Sequence, residues 1–390
     1  MISLPLVELR SLCQFISGGT PRRNVARYYE GDIPWITSAD IVDDKIARPR
    51  YYITEEALES SATNIVPKRN ILLVTRTGVG KVAITDTDIC ISQDFTGLVP
   101  DKSQLDERFL FYYLKFRKED LVAHQRGATI QGITRKVVAT QRIPLPPLPE
   151  QQRIAAILGR ADRLRRLRRT ARESGDTYLQ SVFLEMFGDP ASNPQGWDCA
   201  TIGDTVASSQ YGTSKRSNSE QRGYPILGMG NITYSGGIDL TSLSYVELSE
   251  DEFEALRLVP GDIIFNRTNS TDLVGKTAHW NREMDAVLAS YLVRLKLNVA
   301  VLPDYFTALL NSRYYKRLFQ ERCKKAVGQS NISPTLLKEF PMLIPPLPLQ
   351  QHFVHIVHKF ERLRTQQREA ERQAEHLFQA LLHRAFQGEV

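Results

Sequence analysis

The chain has 390 residues, 42% hydrophobic and 24% charged, which is length and apolar content enough for two domains that each bury a core. Fifty Lys and Arg against 44 Asp and Glu leave +6, a mild excess that suits a polyanionic partner but equally an ordinary solvated basic surface. Cys13, Cys90, Cys199 and Cys323 lie far apart with no C-x-x-C spacing, against a zinc site or disulfide framework, and neither a leader-like start over Met1 to Leu12 nor an apolar run of about 18 residues is found, so a cytoplasmic protein with no membrane partner is expected.

Residues 1–145 carry β-branched and aromatic runs broken by Gly, Pro, Asn and Asp, a pattern of short strands joined by turns. Gly18-Gly19-Thr20-Pro21-Arg22-Arg23 is an early polar loop. Ile71-Leu72-Leu73-Val74 reads as a strand, Arg76-Thr77-Gly78-Val79-Gly80-Lys81 as a glycine-bearing turn and Val82-Ala83-Ile84 as the returning strand. Phe109 to Phe116 has helical spacing, and Arg126 to Gln131 is a second polar loop. Pro146-Pro147-Leu148-Pro149-Glu150-Gln151-Gln152 then stops any regular element, because proline lacks the N–H and fixes φ.

A strongly helical stretch follows from about Glu150 to Phe187, within a spacer at 146–188. Ile154, Ile157, Ala161, Leu164, Arg168, Ala171, Gly175, Tyr178 and Val182 alternate steps of three and four, a coiled-coil seam on a helix roughly 50 to 57 Å long. Ser174-Gly175-Asp176 is where it would bend or break, since an interior Gly costs about 1 kcal/mol relative to Ala.

Residues 189–344 repeat the first plan. Gly212-Thr213-Ser214-Lys215-Arg216 matches the early loop, Ser249 and Glu252 have capping-box spacing before a short helix, and Asp262 to Phe265 with Thr277-Ala278 repeats the strand pair. Tyr305 to Phe319 repeats the helix, and Lys324 to Asn331 the second polar loop. Residues 345–390 return the proline entry as Pro345-Pro346-Leu347-Pro348-Leu349-Gln350-Gln351, then a helix from about Gln350 to Phe386 with seam residues Phe353, Ile356, Phe360, Leu363, Gln367, Ala370, Ala374, Leu377 and Leu381. At one constant spacing Ile133-Thr134 pairs with Ile332-Ser333, Leu164 with Leu363, Gln180 with Gln379 and Phe187 with Phe386. The unit is too long for a solenoid repeat, so the reading is two tandem α/β (α+β) domains from an internal duplication. Arg168 and Gln367 fall mid-series in the two helices, where polar seam residues would fix an antiparallel register.

Chemistry-bearing motifs are weak. Ser270 to Thr277 is one residue from a phosphate-binding loop but has Ser where its first glycine should stand. His352, His355 and His358 recur every three residues without accompanying carboxylates, and no hydrolase, metalloprotease or nuclease constellation is present, so the chain is expected to be non-enzymatic and to bind no metal or cofactor itself. What remains is recognition by Thr, Ser, Asn, Gln, Arg and Lys at matching places in both halves. Arg and Lys suit phosphate or guanine, and Asn and Gln suit adenine edges. The candidate DNA contacts are Thr20, Arg22, Arg23, Ser38, Arg76, Thr77, Lys81, Arg126, Thr129 and Gln131 in the first half. In the second they are Thr213, Lys215, Arg216, Asn231, Asn266, Arg267, Asn269, Lys276, Lys324, Gln329, Ser330 and Asn331.

In Gly18 to Pro21, the two Pro-Pro-Leu-Pro-x-Gln-Gln segments, Gln329-Ser330-Asn331-Ile332-Ser333 and the Ala385-Phe386-Gln387-Gly388-Glu389 ending, the chain resembles the specificity subunit of type I restriction-modification systems over nearly its whole length. It departs in Gly127-Ala128-Thr129-Ile130-Gln131-Gly132-Ile133, which lacks the Asn of the second-half loop. The resemblance implies two target-recognition domains separated by two antiparallel helices, and a non-enzymatic reader of a bipartite, asymmetric double-stranded DNA target. It also implies partners: two modification subunits using S-adenosylmethionine to methylate adenine, and restriction subunits using ATP and Mg²⁺. A coiled-coil interaction scaffold that ignores DNA, and a P-loop nucleotide-binding enzyme, are the alternatives.

Overall fold

The continuous apolar run Ile71–Val74 is buried at every position, as a strand covered on both faces must be. It pairs with Phe95–Pro100 and with Val82–Ile84 in a four-stranded antiparallel sheet whose other edge is Cys13–Ser17. The computed structural model describes residues 5–126, 131–326 and 328–387. They fall into two units, Met1–Arg169 with Ala370–Val390, and Thr170–Glu369. We call these the terminal and the central unit.

In the terminal unit a second sheet, ordered Tyr51–Ile53, Ile33–Ile36, Ile89–Ile91 and Asn64–Val66, contains one parallel pair, Ile33–Ile36 with Ile89–Ile91. Helix Glu107–Phe116 is capped by the Asp106 carboxylate, which accepts from the Arg108 and Phe109 N–H groups, and it buries Phe109, Leu110 and Tyr113 in the main core. Strands Leu6–Glu8 and Arg142–Pro144 pair to close the domain, and the Tyr113 hydroxyl donates to the Arg142 carbonyl at 2.8 Å.

The central unit repeats this. Its four-stranded sheet is Val206–Tyr211, Leu292–Leu297, Ile263–Asn266, Thr277–His279, and the smaller one Ser244–Val246, Tyr224–Leu227, Val287–Leu288. Ser249 and Glu252 form the expected capping box on helix Glu250–Leu256. The expected helix over Tyr305 to Phe319 is two helices, Pro303–Leu310 and Arg313–Arg322. Asn311 and Ser312 separate them: the Asn311 amide donates to the Thr277 carbonyl at 2.7 Å, and Ser312 caps the second helix. Strands Asp198–Thr201 and Pro341–Ile344 close the domain, with the Tyr305 hydroxyl 3.0 Å from the Leu343 carbonyl.

Both proline entries turn directly into long helices, Leu148–Phe187 and Leu347–Gln387, about 60 Å each at 1.5 Å per residue. Pro149 and Pro348 sit in the first turn, where no N–H is required. The repeated glutamine has a structural task. Gln151 is fully buried, its Oε1 accepting from Asp106 N (2.9 Å) and its Nε2 donating to the Gln104 and Pro146 carbonyls (2.8 Å each). Gln350 does the same with Leu302 N, Ala300 O and Pro345 O.

Within each unit the helix segments run antiparallel. In the terminal unit Arg165 meets Glu375 and lies 4.5 Å over the Phe378 ring, while Ile154, Leu158 and Ala161 share a core with Leu382, Ala385 and Phe386. In the central unit Tyr178 packs on Phe360, and Phe187 on Phe353. The first helix is unbroken at Gly175, where a Cβ would come 3.2 Å from the Phe360 ring, so the small residue admits the facing aromatic. The expected seam is half corrected. Ile154, Ala161, Gly175, Phe353, Phe360 and Ala374 do face inward, but Leu164, Tyr178, Leu363 and Leu377 are 40%, 51%, 48% and 48% exposed. Leu158, Arg165, Leu179, Val357, Phe378 and Leu382, one residue further round, take their place. Arg168 is likewise exposed, whereas Gln367 faces Gly175. Each helix covers its own domain as well as its neighbour, so its apolar stripe is set by both and is not a two-position seam.

Candidate nucleic-acid interface

In the central unit, the turn after Ile263–Asn266 and the second polar loop, far apart in sequence, become one small antiparallel sheet, ordered Thr268–Asn269, Gln329–Asn331, Lys324–Ala326. Thr268 stands opposite Asn331 and Asn269 opposite Ser330, and the Ile332 N–H donates to the Arg267 carbonyl at 2.9 Å. Polar side chains tie the sheet together: the Thr271 and buried Ser330 hydroxyls are 2.8 Å apart, and Asn331 Oδ1 is 3.5 Å from the Thr268 hydroxyl. Lys324 and Gln329 are exposed on it.

Arg267 sits at the edge of this sheet. Its backbone N–H donates to the Tyr291 carbonyl, its Nη1 lies 3.4 Å from the Ser290 carbonyl, and its guanidinium lies 5.0 Å from the centre of the Tyr211 ring. Tyr211 and Tyr291 are 48% and 44% exposed. Neither tyrosine was among the candidates. The signal for Tyr211 was in the sequence, an aromatic directly before the Gly212-Thr213 loop.

The Gly212-Thr213 loop passes tightly over its neighbour: a Cβ on Gly212 would fall 2.2 Å from the Leu288 carbonyl oxygen. Thr213 N–H donates to that carbonyl, Lys215 pairs with Glu252 at 2.6 Å, and Arg216 is exposed. Three candidates are corrected. Lys276 is buried, and its ammonium donates to the Met229 and Ile232 carbonyls at 2.7 and 2.5 Å, with burial lowering its pKa. Asn231 spends its amide on its own turn, accepting from Gly228 N and donating to the Asp239 and Ser242 carbonyls. Asn266 is fully buried beside the sheet, with no hydrogen-bond partner for its side chain among the described residues.

The terminal unit brings its loops together in the same way. Arg76 and Arg126 both bridge Gly132, so the turn after Ile71–Val74 meets the loop from 126 to 132; Thr129 lies outside the described residues. Arg76, Thr77, Arg126 and Gln131 are exposed, and Thr77 holds φ at 51°, an uncommon conformation for a β-branched residue. Thr20, Arg22 and Arg23 stand on a loop pinned by the Trp35 indole N–H to Gly19 O and the Tyr29 hydroxyl to Pro21 O. Ser38 and Lys81 are corrected: Ser38 is buried and bonded toward Asp94, and Lys81 reaches back to the Ser38 and Ile41 carbonyls at 3.4 Å each, as Lys276 does in the central unit.

The P-loop alternative fails on this geometry. Residues 270–276 form a turn between antiparallel strands, Thr277 opens a strand where a phosphate-binding loop would open a helix, and Lys276 is consumed by two carbonyls. The histidines of the last helix do not converge; His358 instead meets Asp304 at 3.3 Å, whose other oxygen is 3.0 Å from His279. Among the described residues no group of three or more His, Cys, Asp or Glu could hold a metal, and no helix is long and apolar enough to cross a membrane.

Comparison with known proteins locates this architecture. The chain is 28% identical to the type I restriction enzyme MjaIX specificity subunit of Methanocaldococcus jannaschii, over 51% of its own length and half the length of that relative. It is 22% identical to the EcoKI specificity subunit of Escherichia coli over 99% of its length and 89% of that relative. A solved chain of a type I R-M system, reported for its complex assembly and conformational transition, superposes with a TM-score of 0.62 at 21% identity, covering 100% of this chain and 99% of that one. The family model for the type I restriction modification DNA specificity domain matches twice, over residues 5–173 and 194–375. With both halves matched, the chain belongs to the type I restriction modification DNA specificity family.

Proposed function

We propose that this protein is the sequence-specific DNA-binding subunit of a type I restriction-modification complex. The domain of each unit contacts one part of an asymmetric, bipartite duplex target. The chain itself catalyses nothing and works in the cytoplasm. Two modification subunits carrying S-adenosylmethionine methylate adenine, and restriction subunits driven by ATP and Mg²⁺ act on the same DNA. The observation that carries the reading is the double family match, each half of which contains one set of converging polar loops.

Exchanging residues 1–142 for the matching domain of a relative, then mapping methylated adenines with the modification subunits present, should change one part of the target and leave the other intact. A continuous or palindromic site that survives the exchange sinks the proposal. The purified chain alone, with S-adenosylmethionine, ATP and Mg²⁺, should leave duplex DNA unaltered. Copurification with partner subunits but indifference to duplex at every salt concentration would instead favour the scaffold reading.

A further inference from the structure

The polar loops of the two units differ in one respect that bears on how a base is read. In the terminal unit the arginine after the buried strand, Arg76, is exposed, and the position matching Tyr211 is Gly18. In the central unit the matching Arg267 has a half-exposed aromatic platform under its guanidinium, a carbonyl tether at Ser290, and a backbone fixed on both sides by Tyr291 O and Ile332 N. Its Nε is buried with no hydrogen-bond partner among the described residues. A planar guanidinium lying over an aromatic ring loses less freedom than a free one when it forms two parallel hydrogen bonds. The group that accepts two such bonds in a DNA groove is the O6 and N7 edge of guanine. Phosphate oxygens accept the same fork but carry no sequence information, so base discrimination and salt dependence separate the two contacts.

We infer that Arg267 determines specificity for one guanine in the part of the target read by the central unit, with Tyr211 as its positioning residue. The inference rests on the DNA-reading function proposed above and names a base contact within it. Ser330 and Thr271 support it indirectly, by locking the neighbouring strand against which the Arg267 carbonyl is bonded.

The test uses the chain assembled with its modification subunits and duplexes in which each guanine of that part of the target is replaced in turn by 7-deazaguanine, which lacks the N7 acceptor. One replacement should weaken wild-type binding about tenfold, because it removes one of the two acceptors and leaves O6 in place. Arg267→Ala should lose at least that factor on the unmodified duplex and become indifferent to that same replacement. Arg267→Lys should keep the salt dependence but not the discrimination, and Tyr211→Leu, which keeps the arginine, should reduce discrimination at the same guanine only. A uniform loss on every duplex with a salt slope shallower by about one would make Arg267 a phosphate contact and overturn the inference. Unchanged discrimination in Arg267→Ala, or a target part containing no guanine, overturns it equally. A wild-type complex without any sequence preference would remove the proposed function as well, so the two failures are distinct.

Discussion

The terminal and central units share their backbone-directed contacts and differ in their ion pairs. In both, a lysine bridges two carbonyls of a turn, a buried glutamine ties the long helix to its domain, and a tyrosine hydroxyl holds the closing strand. Phe386 lies among Phe109, Tyr113 and Phe116 in the one, as Phe187 lies against Tyr305 and Phe353 in the other. Where the Asp43-Asp44 turn meets the first long helix, however, the terminal unit uses a charge network. Asp44 pairs with Lys115 and Arg166, Asp43 with Arg169, and Asp162 with Arg165 and Arg166. At the matching turn the central unit has Tyr234, whose carbonyl accepts from Lys316 at 2.6 Å. Backbone acceptors survive changes of side chain, so contacts to them can define a plan that two diverged halves still share.

The largest expected effect breaks the shared part. Phe187→Ala removes a ring that is 1% exposed and should cost about 3–5 kcal/mol. By hydrogen exchange it should deprotect Pro303–Leu310 while leaving Glu107–Phe116 protected, and Phe386→Ala should do the reverse. If either variant loosened both helices alike, the two units would not be separate packing bodies.

Gln151→Leu and Gln350→Leu come next. Each leaves one N–H and two carbonyls without their partner, a loss of roughly 1–3 kcal/mol per unsatisfied buried group. Matched losses in chemical denaturation are expected, because the two glutamines have corresponding partners. A loss confined to one unit would mean that the repeated motif has a different purpose in the other.

Ionic groups in both units make stability depend on pH. Burial works against the Asp162 carboxylate, but Lys115, Arg165 and Arg166 outweigh it and hold its pKa below the ordinary value; Glu375 is held low against burial by Gln379 and Arg165. A carboxyl with a lowered folded pKa stabilises above its unfolded value, about 4, and that contribution is lost as pH falls through the folded one. Burial pushes Lys316 in the central unit down to about 8. For this amine too the folded value lies below the unfolded one, about 10.4, so its contribution is complete above that and declines as pH falls through about 8. Thermal melts should therefore show an acid-side decline that Asp162→Asn flattens and an alkaline-side gain that Lys316→Met flattens. Identical pH profiles for all three proteins would refute the assignment.

Much of this was legible in the sequence because it rests on local rules. Strands Ile71–Val74 and Val82–Ile84, the capping box at Ser249 and the two proline entries follow from propensity and from the missing proline N–H. Charge and polarity also picked out Arg267 and the 324–331 loop. They could not distinguish a lysine facing DNA from Lys81 or Lys276 facing inward, because that depends on which carbonyls the folded turn brings beneath it. Nor could they show that Asn269 and Ser330 would become neighbours in one sheet.

The helix seam shows the same limit and gives the smallest expected effect. Spacing alone admitted two stripes one residue apart, and the leucines at 164 and 363 favoured the wrong one. Both are substantially exposed in this chain, so Leu164→Asp and Leu363→Asp should each change its stability by no more than about 0.5 kcal/mol. Val357→Asp, one stripe over and 8% exposed, would bury a carboxylate and should cost several kcal/mol. A large melting shift in the leucine variants would restore the original seam. Unchanged melting with weakened binding to the modification subunits would instead mean that these leucines serve the partners, and that the sequence had marked an outer apolar stripe as an inner one because both obey the same helical period.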